Sequence, residues 1–108
     1  MPQVKHVVLL RFKPGFSDEA ASKLLAELDG LREKVPGLLD FSGGPNNSPE
    51  GLHRGFTHGF VMTFADAASR DAYLPHPEHE KVKTKIIEAL DGNLDGNLEG
   101  ALIFDWLE

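Results

Sequence analysis

The sequence predicts an α+β domain in the order βαββαβ, with its strands in one antiparallel four-stranded sheet and its helices on one face. Apolar residues alternate in four separate stretches, as in half-buried strands. In the stretches between them they recur every three or four residues, as in amphipathic helices. A further observation concerns the sheet's other face. The first strand is apolar on both sides in its middle, so it needs cover on both, and the helices cover only one. A second copy of the chain is the economical cover, which predicts a homodimer joined through the sheet face.

Residues 3–13, "QVKHVVLLRFK", form the first strand. Val4, His6, Val8, Leu10 and Phe12 share one face, and Val7 and Leu9 lie on the other. Pro14 and Gly15 break it. Ser17 caps the first helix, with Asp18 and Glu19 in the turn where the helix dipole favours negative charge. Ala21, Leu24, Leu25, Leu28, Leu31 and Val35 make its apolar stripe. Gly30 interrupts the stripe at about 1 kcal/mol relative to alanine, and Pro36-Gly37 ends the helix. Leu38 to Ser42 is the second strand, and residues 43–53 are a polar loop rich in Gly, Pro and Asn. Residues 54–65 form the third strand, with Phe56, His58, Phe60, Met62 and Phe64 on one face. Asp66 caps a short helix that stops near Pro75. Pro77 opens the next, whose buried stripe carries His79, Val82, Ile86 and Leu90. A polar turn, "DGNLDGNLEG", leads into the closing strand at 101–107, "ALIFDWL". With its second helical region split at the prolines, the chain has the ferredoxin-like arrangement, one domain over residues 3–107.

The 108 residues are 41% hydrophobic and 26% charged, as in ordinary globular proteins. The net charge of −6, with the basic residues scattered, argues against nucleic-acid partners. No apolar run approaches the ~18 residues of a membrane span, and the N-terminal stretch lacks a signal-peptide pattern. The absence of cysteine excludes disulfides, thiolate nucleophiles and zinc–thiolate sites, and is compatible with the cytoplasmic location expected here.

Strand parity puts His6 and His58 on the faces that carry most of the apolar residues, and helical phase turns His79 toward the same sheet. With Tyr73, three imidazoles and a phenol are expected to converge between sheet and helices. Imidazoles exchange protons at neutral pH. Beside a ligand carbonyl, His79 is expected as the base that takes a proton, while Tyr73 and His6 or His58 polarise the oxygen. The competing reading is a set of structural histidines bonded to backbone or water. His76 is expected as the hinge between the two helical pieces. His76-x-x-His79 also has the spacing of a metal pair, but no third ligand stands at firm spacing, and neither metal nor cofactor is expected. Asp105, an acid inside an apolar strand, could orient a histidine as in a triad. The preferred reading is a polar residue near a strand end, facing solvent or the dimer seam. The D-x-N-x-D-G start of residues 91–100 matches half of a calcium loop. Its twelfth position is Leu102 where a glutamate is required, so a turn is expected there instead. Ser48 to Leu52 has the composition of either a lid or an unremarkable loop.

Four segments together resemble the stress-responsive A/B barrel (Dabb) family: "VKHVVLLRFK", "SPEGLHRGFTHGFVMTF", "AYLPHPEHEKV" and "LIFDW". The resemblance implies a dimeric α+β barrel built from two ferredoxin-like sheets. It also implies either a stress-related role without assigned chemistry or the activity of one plant member, an olivetolic acid cyclase-type polyketide cyclase. On that pattern His6, His58, Tyr73 and His79 match pocket residues, and the implied ligand is a small, apolar, carbonyl-bearing molecule. Two alternatives stand beside this reading. One is a non-catalytic, stress-stable assembly protein. The other, by analogy of fold, is a dimeric α+β barrel monooxygenase or haem binder.

Overall fold

The structure, a computed structural model, describes residues 2–94 and 97–108. Its elements run β1 (Val4–Leu10), α1 (Asp18–Gly30), β2 (Leu38–Pro45), β3 (His58–Phe64), α2 (Ala67–Tyr73), α3 (Pro77–Ala89), β4 (Asn93–Leu94), β5 (Asn97–Leu98) and β6 (Ala101–Leu107). The main sheet has the order β2-β3-β1-β6, antiparallel throughout, as the ferredoxin-like reading requires.

The alternation in β1 acts as expected. Val4, His6, Val8 and Leu10 are buried under the helices, while Lys5, Val7 and Leu9 are half-covered on the outer face. Register extends both faces across the sheet. His6 lies opposite Asp105 and Met62, whereas Val7 lies opposite Phe104 and Val61. Ser17 caps α1 by accepting from the Ala20 N–H at 3.0 Å, and Asp66 caps α2 by accepting from Ser69 at 2.8 Å. Leu24, Leu25 and Leu28 of α1, and Val82 and Ile86 of α3, close the core against Phe60, Met62 and Phe64.

Element ends differ from the sequence reading where backbone pairing decides them. β1 stops at Leu10; Phe12 keeps only an isolated bridge to Leu90. α1 gives way at Leu31–Glu33 to a turn of 3₁₀ helix. β2 runs on through Gly43 and Gly44 to Pro45, because Gly43 lets it pass close to Phe60, where a Cβ would come within 2.7 Å of that side chain. β3 begins only at His58, so Phe56 belongs to the loop before it. The expected turn at residues 91–100 contains a short hairpin, Asn93–Leu94 against Asn97–Leu98. Asp95 and Gly96, central to the calcium-loop pattern, lie outside the described residues.

Candidate functional site

The break between α2 and α3 builds the site. α2 ends at Tyr73, and His76 then caps α3, its Nδ1 accepting from the Glu78 N–H at 3.1 Å with Pro77 at the first helical position. His76 therefore spends its ring nitrogen on the helix start. His79, one turn on, swings its ring over Tyr73, with the centroids 4.1 Å apart. From the sheet side His6 approaches Tyr73 edge-on at 6.1 Å. These three rings line one cavity of about 310 Å³, walled mostly by aliphatic side chains that include Val8, Leu28, Ile86 and Leu90.

Hydrogen bonds fix both imidazoles in one tautomer. The Leu74 carbonyl can only accept, so His79 donates its Nδ1–H to it at 2.9 Å and keeps a lone pair on Nε2. Asp105 accepts from His6 Nδ1–H at 2.8 Å, which leaves Nε2 as that ring's acceptor. Asp105 is itself held by Arg70, whose Nη1 donates to it at 3.0 Å while its Nε donates to Asp71 at 2.9 Å. Both carboxylates push the Arg70 guanidinium's pKa up. The preferred sequence reading of Asp105 is thus corrected. It faces neither solvent nor the outer seam, because β6 pairs with β1 so that Asp105 lies on the His6 side.

The convergence of four groups is corrected to three. His58 shares a face with His6 but not a position. The β1–β3 register sets Met62 opposite His6 and His58 opposite Leu10. Four residues at about 3.3 Å each put His58 some 13 Å along the strand. There its Nδ1 shares a hydrogen bond with Thr57 Oγ1 at 2.9 Å, and its ring packs edge-on against Phe12. Its Nε2 stands 3.7 Å from Asp18 at the start of α1. Among the described residues, no three His, Asp or Glu side chains gather closely enough to hold a metal ion.

Burial sets the proton chemistry. It pushes the His79 imidazole below the ordinary histidine value, with Lys83 adding to the shift and the Leu74 hydrogen bond opposing it. Burial pushes the Tyr73 phenol up, so it stays a protonated donor. Near neutrality the site therefore offers the unprotonated Nε2 of His79 beside a phenol O–H. The shift also has a sign for stability. Unfolded His79 takes up a proton near pH ~6.5, where the folded ring still refuses it. The stability contributed by neutral His79 is full above that pH. It declines as pH falls below it and levels off once pH passes the folded value. Urea unfolding from about pH 7 to about pH 5 is expected to lose part of this slope in His79→Gln.

The sequence reading singled out neither Arg70 nor Lys83. Lys83 was legible, being four residues after His79 on the same helix; Arg70 was not, since its partner Asp105 is 35 residues away.

The family model for the Stress responsive A/B Barrel Domain, Dabb, matches residues 4–106. The chain belongs to this family. Stress-response A/B barrel domain-containing protein HS1 of Arabidopsis thaliana is 35% identical over 88 residues, spanning 82% of this chain and 81% of that protein. Olivetolic acid cyclase of Cannabis sativa is 25% identical over 76 residues, 70% of this chain and 75% of its own. Among solved structures, a dimeric ferredoxin-like protein of unknown function from Jannaschia sp. CCS1 matches with TM-score 0.81 at 31% identity. That match covers 96% of this chain and 97% of the other. No helix among the described residues of this Dabb chain is long and apolar enough to cross a membrane.

Proposed function

We propose that this Dabb protein is a homodimer that binds a small, apolar, carbonyl-bearing molecule between sheet and helices and moves a proton at the carbon beside the carbonyl. The observation that carries the reading is the pairing of a tautomer-locked His79 with Tyr73 inside an apolar cavity. His79 Nε2 takes the proton, and the electron pair left behind shifts onto the carbonyl oxygen. The Tyr73 O–H donates to that oxygen, stabilising it as it becomes an enolate. The imidazolium formed at His79 returns its proton to the product, and His6, aligned by Asp105, presents an acceptor nitrogen on the sheet side. Attack of the enolate on a second carbonyl of the same molecule is the ring closure of an aldol-type cyclase, which the similarity to olivetolic acid cyclase supports.

A second copy covers the outer sheet face. Val7, Leu9 and Val61 are only half-buried there, and Leu102, Phe104 and Trp106 are exposed. The described dimeric state of the Jannaschia protein supports this assembly.

Deuterium exchange tests the chemistry without knowledge of the natural substrate. 2-Undecanone in D₂O is expected to lose its α-protons faster with the protein than with buffer. The protein-dependent rate should fall about a hundredfold or more in His79→Ala. Ketone that binds without exchanging leaves the pocket in place and removes the chemistry, which favours the non-catalytic stress protein. An exchange rate untouched by the substitution removes His79 as the base.

A further inference from the structure

The cavity's lining is apolar except for His6, Tyr73, His79 and Lys83. Lys83 follows His79 by four residues on α3, so both side chains leave one helix face about a turn apart, with Cβ atoms about 5–6 Å from each other. Among the described lining residues it alone carries a permanent positive charge, and no carboxylate lines the cavity with it. Its side chain is half exposed, which places the ammonium at the mouth. There its ion-pair partner is Glu80 at 3.5 Å, an exposed pair three residues apart that exchanges readily with water or with another anion. The neighbouring lysines of α3 are engaged away from the cavity, Lys81 with Glu78 at 3.4 Å and Lys85 with Glu27 at 2.7 Å. A cation at the rim of an apolar hollow, one turn above the carbonyl-binding groups, selects for charge on the ligand.

We propose that the cavity takes an oxo-carboxylate: an apolar chain whose ketone lies at Tyr73 and His79 and whose carboxylate pairs with Lys83. The proposal rests on the pocket reading above and adds what else the ligand carries. A ketone and a carboxylate about 5 Å apart are separated by roughly four carbon–carbon bonds. The remaining carbons lie against Leu28, Ile86 and Leu90 in the interior. Lys83 then acts on affinity and orientation, drawing the carboxylate outward and turning the ketone toward His79.

Paired probes test this: 5-oxodecanoate and its uncharged counterpart 5-oxodecanamide, titrated into the wild type, Lys83→Met and Lys83→Arg with backbone amide shifts as readout. The wild type is expected to bind the acid about tenfold more tightly than the amide at low salt, with the preference shrinking as salt rises. Lys83→Met should lose the preference while keeping its affinity for the amide, and Lys83→Arg should retain it. Equal binding of acid and amide by the wild type overturns the inference and leaves the pocket reading intact. So does a preference that survives in Lys83→Met. If neither probe moves the cavity's amide signals, both readings fall. Lys83 is half exposed and outside the core, so the variants are expected to melt within about 2 °C of the wild type.

Discussion

Phe104→Asp is expected to convert the proposed dimer to single chains in size-exclusion chromatography with light scattering, and to leave them folded by circular dichroism. Phe104 is 63% exposed in the single chain and forms one apolar patch with Leu102 and Trp106 on the outer face. It lies opposite Val7 and beside Trp106, with ring centroids 6.4 Å apart, on the face that the helices do not cover. Burying such a side chain contributes about 1.5–3 kcal/mol. Two-fold symmetry doubles the loss and places two carboxylates in the seam. The dimer therefore weakens by about a thousandfold or more. Ile103→Asp is the informative control. Ile103 is one residue away and 62% exposed, but on the helix side of the strand, so Ile103→Asp is expected to leave two chains associated. A Phe104→Asp protein that still runs as two chains means that the outer face is not the seam.

The strand-by-strand alternation was enough to read the apolar outer face from sequence, because period two decides a face without reference to any other element. Val7 and Leu9 were apolar where a solvated face is polar, and β6 later supplied Leu102, Phe104 and Trp106 to the same side. Position along a strand is a different quantity. His6 and His58 both sit at inward parity, yet the register separates them, and register depends on loop lengths and bulges that alternation does not encode. The shift near Leu38 and Asp40 in the β2–β3 pairing is one such irregularity. Tyr73 and His79 were legible because they are joined locally through "YLPHPEH". The prolines and the cap at His76 fix their relative geometry within one helix break. The Asp105 contacts were not legible, since His6 is 99 residues away and Arg70 belongs to a helix whose sequence neighbourhood gives no sign of it. What sequence could supply was the anomaly itself, an acid in an apolar strand, which in a half-buried place requires partners.

Those partners give the second large effect. Asp105→Ala is expected to lower the melting temperature by about 10 °C, equivalent to roughly 2 kcal/mol for a chain of this size. The carboxylate is largely buried and accepts two charge-assisted hydrogen bonds, from His6 and from Arg70. Its removal strands the buried His6 Nδ1–H, while Arg70 keeps Asp71, and an unpaired donor away from water costs more than a formed bond contributes. Arg70→Met is expected to cost less, because Asp105 keeps His6. The double variant should lose less than the two single losses added together, by about 1 kcal/mol, since each substitution has already broken the shared bond. The site reports the same change by a separate route. Nitrogen-15 shifts of His6 should show the Nδ1–H tautomer in the wild type and a mixture in Asp105→Ala, where nothing at that position accepts the proton. A variant that melts as the wild type does and keeps His6 in a single tautomer would leave Asp105 without a positioning role. His6 would then have to be oriented by its packing against Phe64 and Tyr73.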